Sequence, residues 1–327
     1  MKTVTDFADL RWDSHQVSSD SGIRPLVFLP RHIDLGKCLW AEFLGCFLFQ
    51  FLGGAIFINA YEAWWTLGQL DHIGASINAL GNGFALATLV YGTYSISGGH
   101  LNPAVSVAFA LLGLPNFSIW TAIAYAIAQI LGAGFGAVLL FAALPPEKNL
   151  LSFVQFTTVG SLANNHWKEA KMSDMMGVFV GEYLGTALLV LTYFAMVHSF
   201  DFRRRVLSFA STAPLVIGLA QVGVTFAIGY WTGASCNPAR TVAPWLIYGF
   251  HEAQINYRYF YFLQLGGIFA GSLGAAKFYT MVFIPVTEAN RARAKSMVKM
   301  FGVVVVGAFF FALMWYTAWY HVKDMSM

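Results

Sequence analysis

Gly98-Gly99-His100-Leu101-Asn102-Pro103-Ala104-Val105 and Gly233-Ala234-Ser235-Cys236-Asn237-Pro238-Ala239-Arg240 are two versions of one segment. In each, a glycine-containing turn runs into an asparagine followed by a proline. Proline suits the first turn of a helix, where its missing N–H has no partner to lose. Asparagine suits the cap position in front of it. Each segment therefore starts a helix, and starts it within an apolar region. The stretches 103–112 and 238–248 are shorter than the ~20 residues that cross a bilayer, so both read as half-helices beginning inside a membrane.

The two asparagines lie 135 positions apart, and a half-chain repeats at that offset without insertion. Gly83 matches Gly218, Gly98 matches Gly233, Gln129 matches Gln264, Gly132 matches Gly267 and Gly136 matches Gly271. Further upstream the register slips by a few residues, yet Ala41-Glu42-Phe43-Leu44-Gly45 is echoed by Gly181-Glu182-Tyr183-Leu184-Gly185. One unit is used twice. Duplication of this kind is how many transport proteins place a single site at mid-bilayer between two halves.

The composition agrees with a membrane solvent. Of 327 residues, 57% are hydrophobic and 11% charged, against about 25% charged in soluble domains. Spans are expected near 38–60, 77–96, 119–142, 177–198, 211–231 and 260–286, with a seventh at 300–320. Basic residues near span ends mark the cytoplasmic side. Arg203, Arg204 and Arg205 after the fourth span, Arg291, Arg293 and Lys295 after the sixth, and Arg31 and Lys37 before the first all fall on that side. Three spans per half is an odd number, so the second copy is inserted upside down and its half-helix enters from the opposite face.

The expected organisation is a cytoplasmic tail at 1–36, a first channel repeat at 37–143 and a long outer loop at 144–176, followed by a second repeat at 177–286 and a terminal region at 287–327. The tail carries Asp6, Asp9, Asp13 and Asp20 and no long apolar run, which does not fit a signal peptide. The outer loop is long enough to fold back over a pore mouth. The terminal region joins a basic linker to the seventh span, whose Trp315, Tyr316, Trp319 and Tyr320 have the look of an interfacial belt. Lying outside the duplicated bundle, 300–320 is placed to meet lipid, another subunit or a membrane partner.

No spacing of Cys38, Cys46 and Cys236 fits a metal site or disulfide framework, so no metal and no cofactor is expected. Cys236, next to the second triplet, is the thiol placed to border a pore. The net charge of +3 is explained by topology and gives no support to nucleic-acid binding. No nucleophile and base set appears, which argues against an enzyme.

With both Asn-Pro-Ala triplets, residues 38–286 resemble the aquaporin family, also called major intrinsic proteins. The resemblance implies an all-α membrane fold: an inverted repeat of three transmembrane helices and one re-entrant half-helix per half. It implies a homotetramer with one pore per subunit, a passive channel for water in an integral multi-pass protein of the plasma membrane or an organelle. Asn102-Pro103-Ala104 and Asn237-Pro238-Ala239 would bring two half-helix N-termini together at mid-membrane. Each N-terminus carries partial positive charge, and two at one point oppose cations and hydronium. Each asparagine can cap its half-helix through the side-chain oxygen while turning its NH₂ toward the lumen, where a passing water would be reoriented and a proton wire interrupted.

Glu42 and Glu182 are the acidic residues well inside spans, where ionised groups are costly and usually functional. One reading is a proton relay, hence a coupled transporter. The other is that each accepts from backbone N–H groups of its own re-entrant loop, because non-helical backbone at membrane depth must find partners. The family resemblance implies the second role. Gln129, Gln264 and His100 are expected to support the loops as well.

The resemblance also implies a narrow ring outside the asparagine pair. Ungapped alignment to the nearer triplet puts Asn82, Thr225, Ala234 and Arg240 there, with Gly83 replacing Asn82 if the register slips by one. Arg240 fits the family pattern, whereas the other three depart from strict water channels, which place a large aromatic first and histidine second. Typical glycerol facilitators carry aspartate where this chain has Thr241. The ring therefore reads as wide and hydrophilic, passing water with glycerol, urea or hydrogen peroxide, unless Phe84, Trp231 or the outer loop fills it. The rival to a channel, besides the coupled transporter, is a structural subunit of a membrane complex with a closed pore.

Overall fold

The computed structural model describes residues 34–67, 71–112, 117–144, 172–198, 208–248 and 258–283, together with positions 296, 299, 300, 302, 303, 306 and 307. The tail, the outer loop and the terminal region expected from sequence lie mostly outside these residues. The described positions between 296 and 307 are helical, and Val303 and Val306 are exposed.

Eight helices make up the two halves among the described residues. The first half contains α1 (Leu35–Leu67), α2 (Asp71–Ser97), α3 (Pro103–Leu112) and α4 (Ile119–Ala143). The second contains α5 (Met172–His198), α6 (Ser208–Thr232), α7 (Pro238–Tyr248) and α8 (Arg258–Phe283). The starts follow local chemistry. The backbone N–H of Lys37 donates to Asp34 Oδ1 at the head of α1, and that of Thr121 donates to Ser118 Oγ at the head of α4, each replacing a bond the first turn lacks.

Five of these helices are long and apolar enough to cross a membrane by length and composition: those in α1, α2, α4, α5 and α6. The sixth expected span is α8, 26 residues long, whose Gln264, Ser272 and Lys277 dilute its apolar character. The half-helices α3 and α7 have 10 and 11 residues, about half of a 30 Å hydrocarbon core at roughly 1.5 Å per residue. Large apolar side chains such as Trp120, Tyr91, Phe135 and Met281 are exposed on the long helices, as lipid contact requires.

Packing obeys the duplication. Helix α1 lies along α4 and α2 as α5 lies along α8 and α6, α4 packs on α7 as α8 packs on α3, and α2 meets α6 between the halves. Small residues make the approaches close. A Cβ on Gly83 would collide with the Gly218 carbonyl, and one on Gly218 with the Gly83 carbonyl, so the two glycines face each other where α2 crosses α6. Gly132 and Gly136 sit on the carbonyls of Phe43 and Phe47, while Gly267 and Gly271 sit on those of Phe179 and Tyr183. Measured from the buried glutamates, the α5–α8 pair is therefore slid by one helical turn relative to α1–α4. This slide accompanies the upstream slip of register in the sequence.

Candidate pore and constriction

The two loops that precede α3 and α7 share one backbone path. Left-handed φ occurs at Gly98, Gly99 and Leu101 (89°, 60° and 47°) and at the matching Gly233, Ala234 and Cys236 (82°, 47° and 48°). A left-handed conformation is costly outside glycine, so Leu101, Ala234 and Cys236 must be held in it by their surroundings. The end of each long helix supplies part of the support. Ser97 Oγ accepts from Gly99 N–H (3.2 Å), and Thr232 Oγ1 from Ala234 N–H (2.9 Å).

The glutamates supply the rest. Glu42 accepts from the backbone N–H groups of His100 (2.9 Å) and Leu101 (2.7 Å), from Ser97 Oγ (2.6 Å) and from Gln129 Nε2 (2.7 Å). Glu182 accepts from the N–H groups of Ser235 (3.0 Å) and Cys236 (2.8 Å) and from Gln264 Nε2 (3.2 Å). Both carboxylates are fully buried. His100 packs in an aromatic nest of Phe109, Phe117 and Tyr125, with Nδ1 3.1 Å from Ser106 Oγ.

The asparagines tie the halves together reciprocally. Asn102 Nδ2 donates to the Cys236 carbonyl and Asn237 Nδ2 to the Leu101 carbonyl, both at 2.8 Å. Their side-chain oxygens accept from Ala104 N–H (2.9 Å) and Ala239 N–H (3.0 Å). The caps are as expected, whereas the NH₂ groups, expected to face the lumen, reach across between the loops. Here one proton of each is committed to the opposite loop. The N-termini of α3 and α7 thus meet at one place.

Beside this junction lies a cavity of about 40 Å³, room for a few waters at the ~10–15 Å³ each needs in this measure. Asn82, Thr225, Ala234 and Arg240 all line it, as do Phe57, Asn78, Gln221 and Ser235. Gly83 instead faces Gly218 across the helix crossing. The Arg240 guanidinium lies over the Phe49 ring, 4.3 Å from its centre. Such a cation–π contact attracts the guanidinium to the ring face.

Three expectations need correction. Phe84 and Trp231, offered as aromatics that might fill the ring, are exposed and do not line the cavity. Cys236 does not border the cavity either, because its Sγ points at Gly185, where a Cβ would approach it to 2.9 Å. Sequence reasoning also passed over Phe49, Gly53, Phe57, Asn78 and Gln221. Asn78 and Gln221 were detectable, each being a polar residue one helical turn before a ring position.

The family model described as major intrinsic protein matches residues 30–279. The chain belongs to the major intrinsic protein family. Aquaporin-4 of Mus musculus is 35% identical over 257 residues, covering 78% of this chain and 70% of that protein. A probable TIP-type aquaporin of Nicotiana tabacum, RB7-5A, is 33% identical over 235 residues, 72% of this chain and 84% of that protein. Among solved structures, the aquaglyceroporin from Plasmodium falciparum superposes with a TM-score of 0.57 at 20% identity, over 76% of this chain and 97% of that one. The last likeness concerns the fold. This major intrinsic protein is an integral multi-pass membrane protein.

Proposed function

We propose that this protein is a passive membrane channel for water and small neutral solutes of the size of glycerol, urea or hydrogen peroxide, and that it excludes protons and ions. The observation that carries the reading is the reciprocal asparagine tie, which sets two half-helix N-termini at one point next to a cavity lined by Arg240. Two positive helix ends and a guanidinium oppose cations, while the remaining amide protons can serve a neutral molecule. The names of the relatives, aquaporins of animal and plant, support the water part. Asn82 and Thr225 in place of bulky aromatic groups support the passage of larger solutes.

A proton-coupled transporter would need a carboxylate able to meet the lumen. Glu42 and Glu182 are occupied by fixed donors of their own loops, which supports a structural role for both. We assign the pore to each subunit of a homotetramer, as the family resemblance implies; the exposed apolar flanks suit lipid and neighbouring subunits alike.

Stopped-flow light scattering of proteoliposomes tests the reading, with osmotic gradients of water, glycerol, urea and peroxide. Water flux above empty liposomes is expected; its absence from well-folded protein would favour a closed structural subunit. Planar-bilayer recording tests ion exclusion. Asn102→Asp and Asn237→Asp keep an oxygen for the cap but lose the donated tie and add negative charge, so each should raise cation leak to a similar degree. Unchanged leak in the folded double variant would refute this account of exclusion.

A further inference from the structure

The side of the asparagine junction opposite the cavity is built differently. By the repeat, the places of Asn82, Thr225 and Arg240 are taken there by Ile217, Val90 and Val105, all buried in one apolar cluster. The room differs as well. Gly229 lines the cavity, and Gly53 leaves space for the Arg240 guanidinium, which a Cβ there would meet at 2.7 Å. The counterparts of both glycines are tyrosines. Tyr94 stands at the constant offset from Gly229, and Tyr193 stands eleven residues after Glu182 as Gly53 stands eleven after Glu42. Counting from the glutamates matches equal places in space: a Cβ on Gly45 would meet Leu101 and one on Gly185 would meet Cys236, the same position in the two loops.

Tyr193 fills the place that Gly53 leaves open. It is 2% exposed and belongs to the same apolar cluster, against which Tyr94 also packs. Its hydroxyl faces the carbonyls of Gly99 (3.2 Å) and His100 (3.3 Å) and donates to them. The cavity follows the second loop past Gly233, Ala234 and Ser235. An inverted repeat carries a conduit onward past the matching Gly99 and His100 of the first loop. Between apolar walls, the loop carbonyls are the acceptors that a file of water would use, and an apolar constriction without them sheds its water. Tyr193 takes them instead. Both bonds exceed the usual O–H···O length of about 2.7–2.8 Å, and one proton serves two acceptors, so the hold is weak enough to release.

Resting on the channel reading above, we propose that Tyr193 is a gate on the side opposite the cavity. Its ring fills that half of the conduit, its hydroxyl latches it to the Gly99 and His100 carbonyls, and the latch sets how often the conduit is open. The test is water permeability per channel, from stopped-flow light scattering of proteoliposomes holding known amounts of folded protein. Tyr193→Phe keeps the ring but cuts the latch, and should raise permeability about fivefold, the worth of one hydrogen bond. Tyr193→Val removes the ring too and should raise it at least as far. A tyrosine that only supported the fold would give losses on both changes. A folded variant of either kind that is no faster than a conducting wild type would overturn the gate and leave the channel reading standing. Absence of water flux from wild type and both variants would reject the channel reading itself.

Discussion

Gly99 and Ala234 hold the same place in the two re-entrant loops, with φ of 60° and 47°, but their surroundings differ. A Cβ on Gly99 would come within 3.1 Å of both Thr93 Oγ1 and the Val90 carbonyl, whereas the methyl of Ala234 borders the cavity. The contrast continues along the loops. His100 is wedged among three aromatic rings, and its counterpart Ser235 lines the cavity. Val105 is fully buried in the apolar core, and its counterpart Arg240 carries the charge of the constriction. Backbone path, capping and glutamate support are duplicated, while the side chains beside the cavity are not. Symmetry supplies the frame, and in the proposed channel selectivity would come from breaking it.

The largest expected effect comes from forcing the first loop to imitate the second. Val105→Arg buries a charge with no cavity to receive it, which should cost at least ~3–5 kcal/mol and abolish folded protein on size-exclusion chromatography. The reverse change, Arg240→Val, should leave a folded channel with raised cation leak. Equal stability of the two variants would erase the proposed asymmetry.

A smaller effect separates the paired glycine and alanine. Gly99→Ala requires both a methyl in a filled space and a left-handed alanine, and should lower stability by about 1–3 kcal/mol. Ala234→Gly relieves backbone strain and opens the cavity slightly, so it should shift stability by less than about 1 kcal/mol. Thermal unfolding in detergent would measure both; a greater loss for Ala234→Gly would show that the loops are not packed as described. The smallest change sharpens the open side. Thr225→His narrows the cavity without closing a single file of water, and should reduce glycerol and urea flux several-fold more than water flux. Equal loss of all three in flux assays would mean that Thr225 does not govern the width.

The residues that start helices and those that must not be left in lipid were legible locally. Asn102-Pro103 and Asn237-Pro238 announce half-helices because capping and proline geometry act within one turn. Glu42 and Glu182 announce buried donors because a carboxylate in a span needs partners. The family resemblance, carried over by ungapped alignment to the nearer Asn-Pro-Ala, pointed to Asn82, Thr225, Ala234 and Arg240, which line one cavity. The seventh span, by contrast, rests on sequence alone, since most of 300–320 lies outside the described residues.

What only the tertiary structure decided is what lies opposite what. The same Asn-Pro-Ala chemistry does not reveal that each amide reaches across to the other loop, or that the Cys236 thiol turns toward Gly185. Nor does any local pattern single out Gly53 and Phe49, which accommodate Asn82 and Arg240 from α1. The physical reason is that capping, periodicity and burial cost act between near neighbours in the chain. A cavity is space left between four distant segments, and its shape depends on how closely glycine contacts such as Gly83–Gly218 let the helices approach.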